Sequence, residues 1–561
     1  MSACPRASAA IRERLLGVCL AGLSVGLSLS APALAQIPVA VPAAPPAAAA
    51  PSQPAEAAPA PPPAATAAPP ASESSAATAP PPEPIPGQAP DREPSSDSTQ
   101  AQAVRYTLEA IQVRGNTRTE RRVVLRYVPF KPGDTLDVND TAVELSRYRL
   151  LGTGFFRDVQ YSLKKGSARG LVVLVIDVVE RNTIVINDLV MGLAADESRD
   201  GSVEALSAYA GLDVAETNLA GTGITLGGAL AMAEEQLALR TRLIDPAFLS
   251  SKWMIGGTLL YNDAKDYFGS ADVRWNDPDQ TRKYDSAAVS YTRFGGSIGV
   301  GRDLSVSTQA WLHYRLEAVN ASYPLEASHL RGFDREPIDF DIIRGSSVLS
   351  TLRGTLQVDT RDHPFLPTRG SLSTITAEIG LLPAGRDYDY SRVDVQSSRW
   401  FSLPWGDHVL RLSGFAGAIV GNAPFFEQYY VGDFSDFLPD RVLGVSFDHR
   451  LPKNLLGTQI VEVRYGKYAL DVGAEYRIPL YRGRRTVFGI DFFGSGGLYS
   501  VASDRDLTDP PSGYSGFARF PVDLTFNLGF RMDTSAGGFV FAFSNVIGFL
   551  PVRGRGPAGN E

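Results

Sequence analysis

Hydrophobic and polar residues alternate with a period of two along much of the chain after about residue 183. The longest strict runs are VDLTFNLGFRM at residues 522–532 and LDVGAEYRI at residues 470–478, and residues 374–381 repeat the pattern. Segments of about ten residues with one apolar and one polar face are typical of β-strands that separate two environments. The pattern predicts a long antiparallel all-β region that covers residues 183–552.

This region is large for a soluble β-sandwich, which would show the same alternation. Aromatic residues cluster at the strand ends, as at residues 399–401 and 404–405, and such belts are typical of membrane boundaries. Charged residues make up 20% of the chain, which suits membrane strands that are apolar on one face only. After the first 35 residues, no uninterrupted apolar run is long enough for a membrane-spanning helix. We therefore predict a transmembrane β-barrel.

The first 35 residues are typical of a secretory signal peptide. Three arginines precede an apolar run at residues 15–29, and the tripeptide ALA at residues 33–35 forms a cleavage site. Glycine and serine residues dilute the run, which argues against a permanent anchor, and bulky Val18 argues against a lipoprotein site at Cys19. We expect cleavage after the tripeptide.

Both cysteines, Cys4 and Cys19, lie in this segment, so the mature chain is predicted to contain neither a disulfide nor a reactive thiol. The net charge of the full chain is −8, and removing a segment with a net charge of +2 leaves −10. An acidic chain is a poor partner for nucleic acid, so we expect no nucleic-acid binding.

Residues 36–103 consist mostly of Ala, Pro, Ser and Glu. Such a segment has too few large apolar side chains to offset the entropy lost on ordering, so we predict a disordered spacer. Binding to peptidoglycan or to a partner protein is the alternative role. A short tail, residues 553–561, is predicted after the last strand.

Between the spacer and the barrel, residues 104–182 have the pattern of a small α+β domain. Its predicted order is β-α-α-β-β, with elements at residues 106–113, 120–127, 139–151, 159–164 and 171–179. Three motifs accompany these elements, namely IQVRGN at residues 111–116, KPGD at residues 131–134 and GFFRDV at residues 154–159. With these motifs in this order, the domain resembles the polypeptide-transport-associated (POTRA) domain. An unrelated small α+β domain is the alternative.

The resemblance to POTRA domains implies a binding surface at the edge of the sheet. An edge strand can pair with an extended polypeptide through main-chain hydrogen bonds, a mode called β-augmentation that tolerates many sequences. The candidate edge residues are Val159, Gln160, Tyr161, Ser162 and Leu163.

Five motifs mark the predicted barrel. They are TNLAGTG at residues 217–223, DTRDHPFLPTRG at residues 359–370, FFEQYYVG at residues 425–432, GAEYRIPL at residues 473–480 and GFRMDT at residues 529–534. Together they resemble the BamA/TamA type of outer-membrane assembly barrels, surface-antigen-like proteins with POTRA domains. The resemblance implies about 16 antiparallel strands. It also implies a weak seam between the first and last strands, near residues 183–191 and 539–549.

One loop departs from that superfamily. In that superfamily, the sixth extracellular loop folds into the lumen and carries a Val-Arg-Gly-aromatic motif whose arginine meets carboxylates on the inner wall. Here the corresponding sequence is DRVLGV at residues 440–445. Either Leu443 replaces the arginine, or Arg441 takes its role.

The carboxylates that would receive this arginine are partly retained. The resemblance places one at Glu475, which shares a strand face with Asp471, whereas the second position holds Gly494 and the nearest acid is Asp491. We predict that Arg441 bonds to Glu475, with Asp471 or Asp491 as a second partner, and so fixes the loop. Alternatively, these residues are ordinary lumen-facing charges.

The sequence offers no support for an enzyme or a cofactor. The string GGSIG at residues 295–299 matches Gly-x-Ser-x-Gly, but a nucleophile elbow needs a following helix, and strand and turn residues follow instead. The five histidines are too scattered for a local metal-ligand motif, and neither a His-Glu-x-x-His nor a phosphate-binding glycine loop occurs.

The predicted protein is an outer-membrane barrel of a Gram-negative bacterium, with the POTRA domain and the spacer in the periplasm. The resemblance implies assembly, insertion or translocation of polypeptides. The expected partners are outer-membrane lipid, unfolded or nascent outer-membrane or secreted polypeptides, and periplasmic accessory proteins. A transporter dedicated to one passenger and a pore without assembly activity are the alternatives.

These expectations predict where the protein is found and how it migrates on gels. We expect recovery in the outer-membrane fraction, heat-modifiable migration and a strong β signal by circular dichroism, because folded barrels resist detergent until heated. A soluble periplasmic product that binds no detergent would contradict the barrel.

Overall fold

The computed structural model describes residues 105–137, 141–197, 203–268, 287–380, 387–435, 441–446, 454–483 and 486–544. The predicted signal peptide, the spacer and the C-terminal tail lie outside the described residues. Within the parts of the chain that are described, no helix is both long enough and apolar enough to span a membrane.

The N-terminal domain is a four-stranded sheet with two helices. Its elements are β1 (Arg105–Arg114), α1 (Arg121–Arg126), β2 (Thr135–Asp137), α2 (Thr141–Gly152), β3 (Phe156–Lys165) and β4 (Leu171–Glu180). The strand order is β2-β1-β4-β3, in which β1 and β4 run parallel and the other pairs are antiparallel. The predicted order β-α-α-β-β therefore lacks one element, the three-residue strand β2 between the helices.

The core of this domain lies between the sheet and the helices. Strand β4 is central, because it pairs with both β1 and β3, and this explains its nearly continuous apolar sequence LVVLVIDVVE. Leu174 and Ile176 of β4 pack with Val124 of α1 and Leu150 of α2, and all four are almost completely buried. The two helices therefore cover one face of the sheet through these apolar side chains.

After the N-terminal domain, the described residues form one antiparallel sheet of 15 strands that curves into a nearly closed barrel. The strands are β5 (Ile184–Glu197), β6 (Val203–Leu219), β7 (Ile224–Ala233), β8 (Gln236–Asp245), β9 (Trp253–Phe268), β10 (Ala287–Asp303), β11 (Thr308–Ser322), β14 (Gly345–Asp359), β15 (Gly370–Gly380), β16 (Tyr390–Ser402), β17 (Val409–Gly421), β20 (Tyr468–Arg482), β21 (Val487–Ala502), β22 (Val522–Thr534) and β23 (Gly537–Ser544).

Short elements fill the connections between these strands. They are the hairpin β12 (Ser328–Arg331) and β13 (Asp334–Pro337), the pair β18 (Tyr429–Tyr430) and β19 (Tyr465–Gly466), helix α3 (Asp504–Thr508), and 3-10 helices at Phe248–Ser250, Phe425–Glu427, Val431–Asp433, Gln459–Glu462 and Gly516–Arg519.

The alternating sequence pattern separates the two faces of the barrel wall. On β10, Phe294 and Ile298 are exposed on the outside, whereas Tyr291 and Arg293 are buried on the inside. Strands that place apolar side chains outside and polar ones inside are what a lipid bilayer requires. The predicted fold class, an antiparallel transmembrane barrel behind a small α+β domain, is confirmed.

The two ends of the 15-stranded sheet, β5 and β23, lie close together near the N-terminal domain. The amide of Ile186 donates to the carbonyl of Ala536 at 3.0 Å, and a Cβ on Gly537 would come within 2.9 Å of the Ile186 carbonyl. About 16 strands were expected, and the described residues form 15 in this sheet. The predicted last strand, near residues 539–549, lies outside the described residues beyond Ser544.

The N-terminal domain is fixed to the adjacent mouth of the barrel by charged groups. Asp303, at the end of β10, accepts hydrogen bonds from Arg149 of α2 at 2.8 Å and from Arg126 of α1 at 3.1 Å. The guanidinium of Arg149 is buried and lies 4.8 Å from the centre of the Tyr127 ring. Burial lowers the pKa of Arg149, and the charge of Asp303 opposes this shift. Asp303 is therefore the shared anion of the junction.

Asp303→Ala should release the N-terminal domain, because the change leaves two largely buried arginines without their carboxylate. Breaking such a pair costs about 3–5 kcal/mol when it is fully buried. The readout is trypsin cleavage after Arg181, which is only 8% exposed in the docked domain. We expect faster cleavage in the variant.

Glu144→Ala is the matched control, since Glu144 of α2 pairs with Arg369 of the barrel at 2.9 Å but both side chains are more than half exposed. An exposed pair is worth about 0–1 kcal/mol, so cleavage should hardly change. Equal cleavage rates in the two variants would argue against Asp303 as the anchor.

Candidate functional site

The connection between β17 and β20 folds back into the barrel. Its described residues are 422–435, 441–446 and 454–467, which we call the inner loop. Aromatic residues of the inner loop pack against the wall: the Phe426 ring stacks on Tyr291 of β10 at 5.5 Å, and Phe425 meets Phe268 of β9 edge-on at 5.1 Å. The aromatic motif at residues 425–430 thus supplies the apolar surface that holds the loop inside.

One buried carboxylate joins the inner loop to the wall. Glu427 accepts a hydrogen bond from Arg315 of β11 at 2.7 Å, and Arg293 of β10 lies 3.8 Å away. Glu317 of β11 pairs with both arginines, at 2.5 and 2.8 Å. The Arg293 guanidinium also lies 4.2 Å from the centre of the Phe426 ring. The loop therefore contributes a carboxylate to a cluster in which the wall contributes two arginines.

The electrostatics of this cluster keep Glu427 ionised. Burial alone would raise the pKa of Glu427, but Arg315 and Arg293 outweigh it and hold that pKa well below its ordinary range. A buried carboxylate that loses its cations becomes an uncompensated charge, which is far more costly than loss of a surface pair. The Glu427 cluster is therefore the strongest polar contact between the inner loop and the barrel wall that we describe.

The tip of the inner loop, residues 441–446, is held by neutral contacts. The Tyr291 hydroxyl donates to the Gly444 carbonyl at 3.0 Å, and the Gln236 amide donates to the Ser446 carbonyl at 3.0 Å. The Asn262 amide donates to the Leu443 carbonyl. Since all three acceptors are main-chain carbonyls, these bonds depend on the path of the loop and not on its side chains.

Apolar packing completes this docking. Val445 is fully buried against Ala231 of β7 and Ala238 of β8. Leu443 and Gly444 both have positive φ, 53° and 81°, and form the turn between Val442 and Val445. The small alanine side chains leave room for the turn, so the tip sits on β7–β10 of the wall.

The predicted bond between Arg441 and Glu475 is corrected by the structure. Arg441 bonds to Asp433 at 3.2 Å and lies over the rings of Tyr430 and Tyr465, at 4.9 and 5.3 Å from their centres. All of these partners belong to the inner loop itself. Arg441 therefore braces the loop internally, and its neighbour Leu443 occupies the turn at the tip.

The wall carboxylates are neutralised by arginines on the barrel strands. Glu475 pairs with Arg531 of β22 at 2.6 Å and has Arg411 of β17 at 3.8 Å. Asp491 pairs with Arg482 at 2.6 Å. Asp471 shares the inner face of β20 with Glu475 and interacts electrostatically with Arg411. The three predicted acids therefore have arginine partners on the barrel wall, whereas Arg441 pairs with Asp433.

Glu427 was missed as a loop anchor, although its motif was part of the resemblance. The available signal was a single carboxylate within the aromatic run FFEQYY, because a charge among buried rings requires a partner. Which cations supply it depends on strands more than a hundred residues away, and the local sequence does not contain that information.

The N-terminal domain presents the second candidate site, the open edge of β3. This strand is the last in the sheet and pairs only with β4. At the β3–β4 turn the Gly166 amide donates to the Leu171 carbonyl, so in this register the even-numbered residues of β3 bond to β4. Gln160 and Ser162 therefore face β4, and Val159, Tyr161 and Leu163 direct their main-chain groups to the open edge.

A side chain from α2 confirms this assignment and partly covers the edge. The Arg147 side chain donates through Nε to the Val159 carbonyl at 2.8 Å, which requires that carbonyl to point away from β4. The part of the edge that remains beyond Arg147 begins at Tyr161.

The Gly-x-Ser-x-Gly string has no elbow geometry. Residues 295–299 lie within β10, which continues as a strand to Asp303. The Ser297 hydroxyl is 2.8 Å from that of Thr258 on the neighbouring strand. Since strand surrounds the serine on both sides, this string is part of the barrel wall.

Comparison with known proteins identifies both parts of the chain. Residues 218–437 match the Omp85 superfamily domain, and residues 106–181 match the POTRA family, described as a surface antigen variable number repeat. A stretch of 79 residues is 39% identical to the outer membrane protein assembly factor BamA of Neisseria meningitidis serogroup B; it covers 14% of this chain and 9% of that relative.

Two solved structures align with most of the chain at low identity. BamA from Haemophilus ducreyi lacking POTRA domains 1–3 aligns over 79% of this chain and 81% of its own, with 18% identity and a TM-score of 0.42. CdiB from Escherichia coli aligns over 80% of this chain and 74% of its own, with 12% identity and a TM-score of 0.46.

The fold and the two family matches together define a class: an outer-membrane β-barrel of Gram-negative bacteria with a periplasmic POTRA domain. The chain contains an Omp85 superfamily domain and a POTRA domain. The barrel mouth that holds the POTRA domain therefore faces the periplasm, and the N-terminal domain is called the POTRA domain below.

Glu427→Gln should loosen the inner loop, because Arg315 and Arg293 would keep counter-charges on the barrel wall alone, namely Glu317 and, for Arg315, Glu378 at 3.9 Å. The expected cost lies between about 1 kcal/mol for a screened pair and about 3–5 kcal/mol for a buried one. Cleavage of the loop by added protease measures the effect. Asp433→Asn is the matched control, since Asp433 is a carboxylate of the same loop but its side chain is 36% exposed.

The pairing itself is tested by a double-mutant cycle. Glu427→Gln and Arg315→Gln should be strongly non-additive, whereas Arg441→Ala and Glu475→Ala should add, because these two share no partner. Additivity in the first pair, or coupling in the second, would overturn this assignment of the loop contacts.

Proposed function

We propose that this protein assembles, inserts or translocates polypeptides at the outer membrane, and that the POTRA domain captures clients by β-augmentation. The observation that carries the proposal is the open edge of β3, where Tyr161 and Leu163 direct main-chain groups outward. An extended polypeptide can add to such an edge through its backbone, which makes capture independent of most of its sequence.

The position of the POTRA domain supports transfer from this edge to the barrel. Arg181, just after β4, donates to the carbonyl of Thr534 at 2.5 Å, and Asn182 donates to the carbonyls of Ile184 and Ser535 at 2.8 and 3.2 Å. These contacts connect the end of the POTRA domain to β5 and to the turn between β22 and β23. A captured segment would thus be held next to β5 and β23.

The barrel ends support the second step. Among the described residues, β5 and β23 each have a sheet neighbour on one side only. In lipid an unsatisfied main-chain group costs several kcal/mol, so edges of this kind favour pairing with an incoming strand. This argument applies to clients that are themselves β-barrels and to passengers that cross in extended form.

Depletion of the protein followed by profiling of the outer-membrane proteome separates the candidate roles. Broad loss of barrel proteins is expected for an assembly factor. Loss of a single secreted product would favour a dedicated transporter, and an unchanged profile would favour a pore and overturn the proposal.

Leu163→Pro tests the edge directly, since it removes one outward N–H without removing a bond to β4. Leu163→Ala is the matched control, because both variants lose the partly buried leucine side chain and only proline loses the donor. Depleted cells that express Leu163→Pro should fail to restore the profile, whereas those with Leu163→Ala should restore it.

Proline at Gln160 or Ser162 is a poorer test, since it would break the ladder with β4 and unfold the strand itself. Full restoration by Leu163→Pro would show that clients do not use the β3 edge.

A further inference from the structure

The periplasmic turn between β8 and β9, residues 246–252, carries an unusual leucine. Leu249 is 84% exposed and has φ 51° and ψ 35°, in the left-handed region that a leucine rarely adopts. The neighbouring Phe248 and Trp253 are 39% and 49% exposed. An apolar side chain is thus presented outward from a backbone conformation that is itself unfavourable.

This conformation is held by hydrogen bonds on both sides of the leucine. The Ala247 amide donates to the Asp245 carboxylate at 2.8 Å, and the Ser251 amide donates to the Phe248 carbonyl at 3.0 Å. The Trp253 amide donates to the Ser251 hydroxyl at 3.1 Å. These hydrogen bonds fix the conformation of the turn, and Leu249 lies at its apex.

The apex continues the lipid-facing surface of the barrel. Trp253 lies on the outer face of β9, in line with the exposed residues Leu259 and Tyr261. In the next periplasmic turn, Leu304 is 60% exposed and continues the outer face of β10 after Val300. Both turns therefore extend the apolar belt beyond the ends of their strands.

Cations accompany these apolar side chains. Lys252 is exposed beside the apex, and the Arg302 guanidinium lies 5.1 Å from the centre of the Trp253 ring. Apolar side chains flanked by tryptophan and by lysine or arginine are typical of the boundary between acyl chains and headgroups. This combination fits a phospholipid surface better than water or an apolar protein groove.

The same two turns hold the POTRA domain. Arg126 of α1 donates to the Ser251 carbonyl in the first turn at 2.9 Å and to Asp303, next to Leu304, at 3.1 Å. A contact that immobilises Leu249 and Leu304 therefore also immobilises the Ser251 carbonyl and Asp303, to which the POTRA domain binds.

We propose that Leu249 and Leu304 insert into the periplasmic leaflet of the outer membrane, so that phospholipid holds the two turns and, through Arg126, the POTRA domain at the membrane surface. Burial in acyl chains removes the apolar surface of Leu249 from water and offsets the unfavourable backbone conformation. The partner is the phospholipid leaflet, and the contact does not depend on a client.

The test is the depth of a nitroxide at residue 249. The full chain, with Cys4 and Cys19 replaced by serine, receives Leu249→Cys, is labelled and is placed in nanodiscs of phosphatidylethanolamine and phosphatidylglycerol. Asp407→Cys is the matched control, because Asp407 is an exposed residue of another barrel turn with nearly the same φ, 54°. Collision rates with oxygen and with a water-soluble nickel chelate report the depth.

We expect the label at residue 249 to collide preferentially with oxygen, and the label at residue 407 to collide preferentially with the nickel chelate. Equal access of the nickel chelate to both labels would place Leu249 in water and overturn the proposal. Protection of residue 249 from both reagents would place it against protein and overturn it as well.

The link to the POTRA domain has its own readout. Leu249→Asn with Leu304→Asn should speed trypsin cleavage after Arg181 in nanodiscs, since asparagine tolerates the left-handed backbone but loses the acyl contact. Asp407→Asn should leave cleavage unchanged. Unchanged cleavage in the double variant would overturn the coupling between the leaflet and the POTRA domain.

Discussion

Main-chain hydrogen bonding in the absence of water is the constraint on which this structure depends. A strand in the bilayer must pair on both sides, so the sheet curves until its first and last described strands meet. They meet through few contacts, such as that between Ile186 and Ala536. The segment that leaves the POTRA domain, Arg181 and Asn182, bonds at the same place. The weakest part of the wall is therefore also the part that is tied to the periplasmic domain.

Closure creates a second constraint inside the barrel. Because side chains alternate, every second residue of each strand faces the lumen, and charges there must be paired within the wall or by the inner loop. Asp213 is matched by Arg242 at 2.8 Å, and Glu475 is matched by Arg531 at 2.6 Å. The loop adds a carboxylate of its own, Glu427, which meets Arg315 of the wall, while the wall acid Asp266 accepts a hydrogen bond from Tyr465 of the loop.

The sequence predicted what depends on local pattern. Period-two alternation predicted the strands and their faces, and three local motifs carried the resemblance to POTRA domains, because both depend on neighbouring residues. Side-chain pairings that depend on the register between strands could not be predicted from the sequence. Glu475 lies opposite Arg411 across the β17–β20 pair, and Arg531 reaches it from β22, and neither relation can be derived from the spacing of the residues. For the same reason, the sequence predicted the location of the β3 edge but not which of its residues face outward. That distinction depends on the register of β3 with β4.

The position of the loop tip has a mechanical consequence. The tip bonds to Gln236, Asn262 and Tyr291, on β8, β9 and β10, while both ends of the loop emerge from β17 and β20. The inner loop thus crosses the lumen and ties the two halves of the barrel together. Since the tip contacts are carbonyl hydrogen bonds and buried alanine–valine packing, added salt screens them little. The Glu427 contact does respond to acid, since its low pKa means that this contact is lost as the pH falls below the ordinary range of a carboxylate. The tip is therefore bound to the half of the wall that begins at β5, mainly by contacts that neither salt nor acid weakens directly.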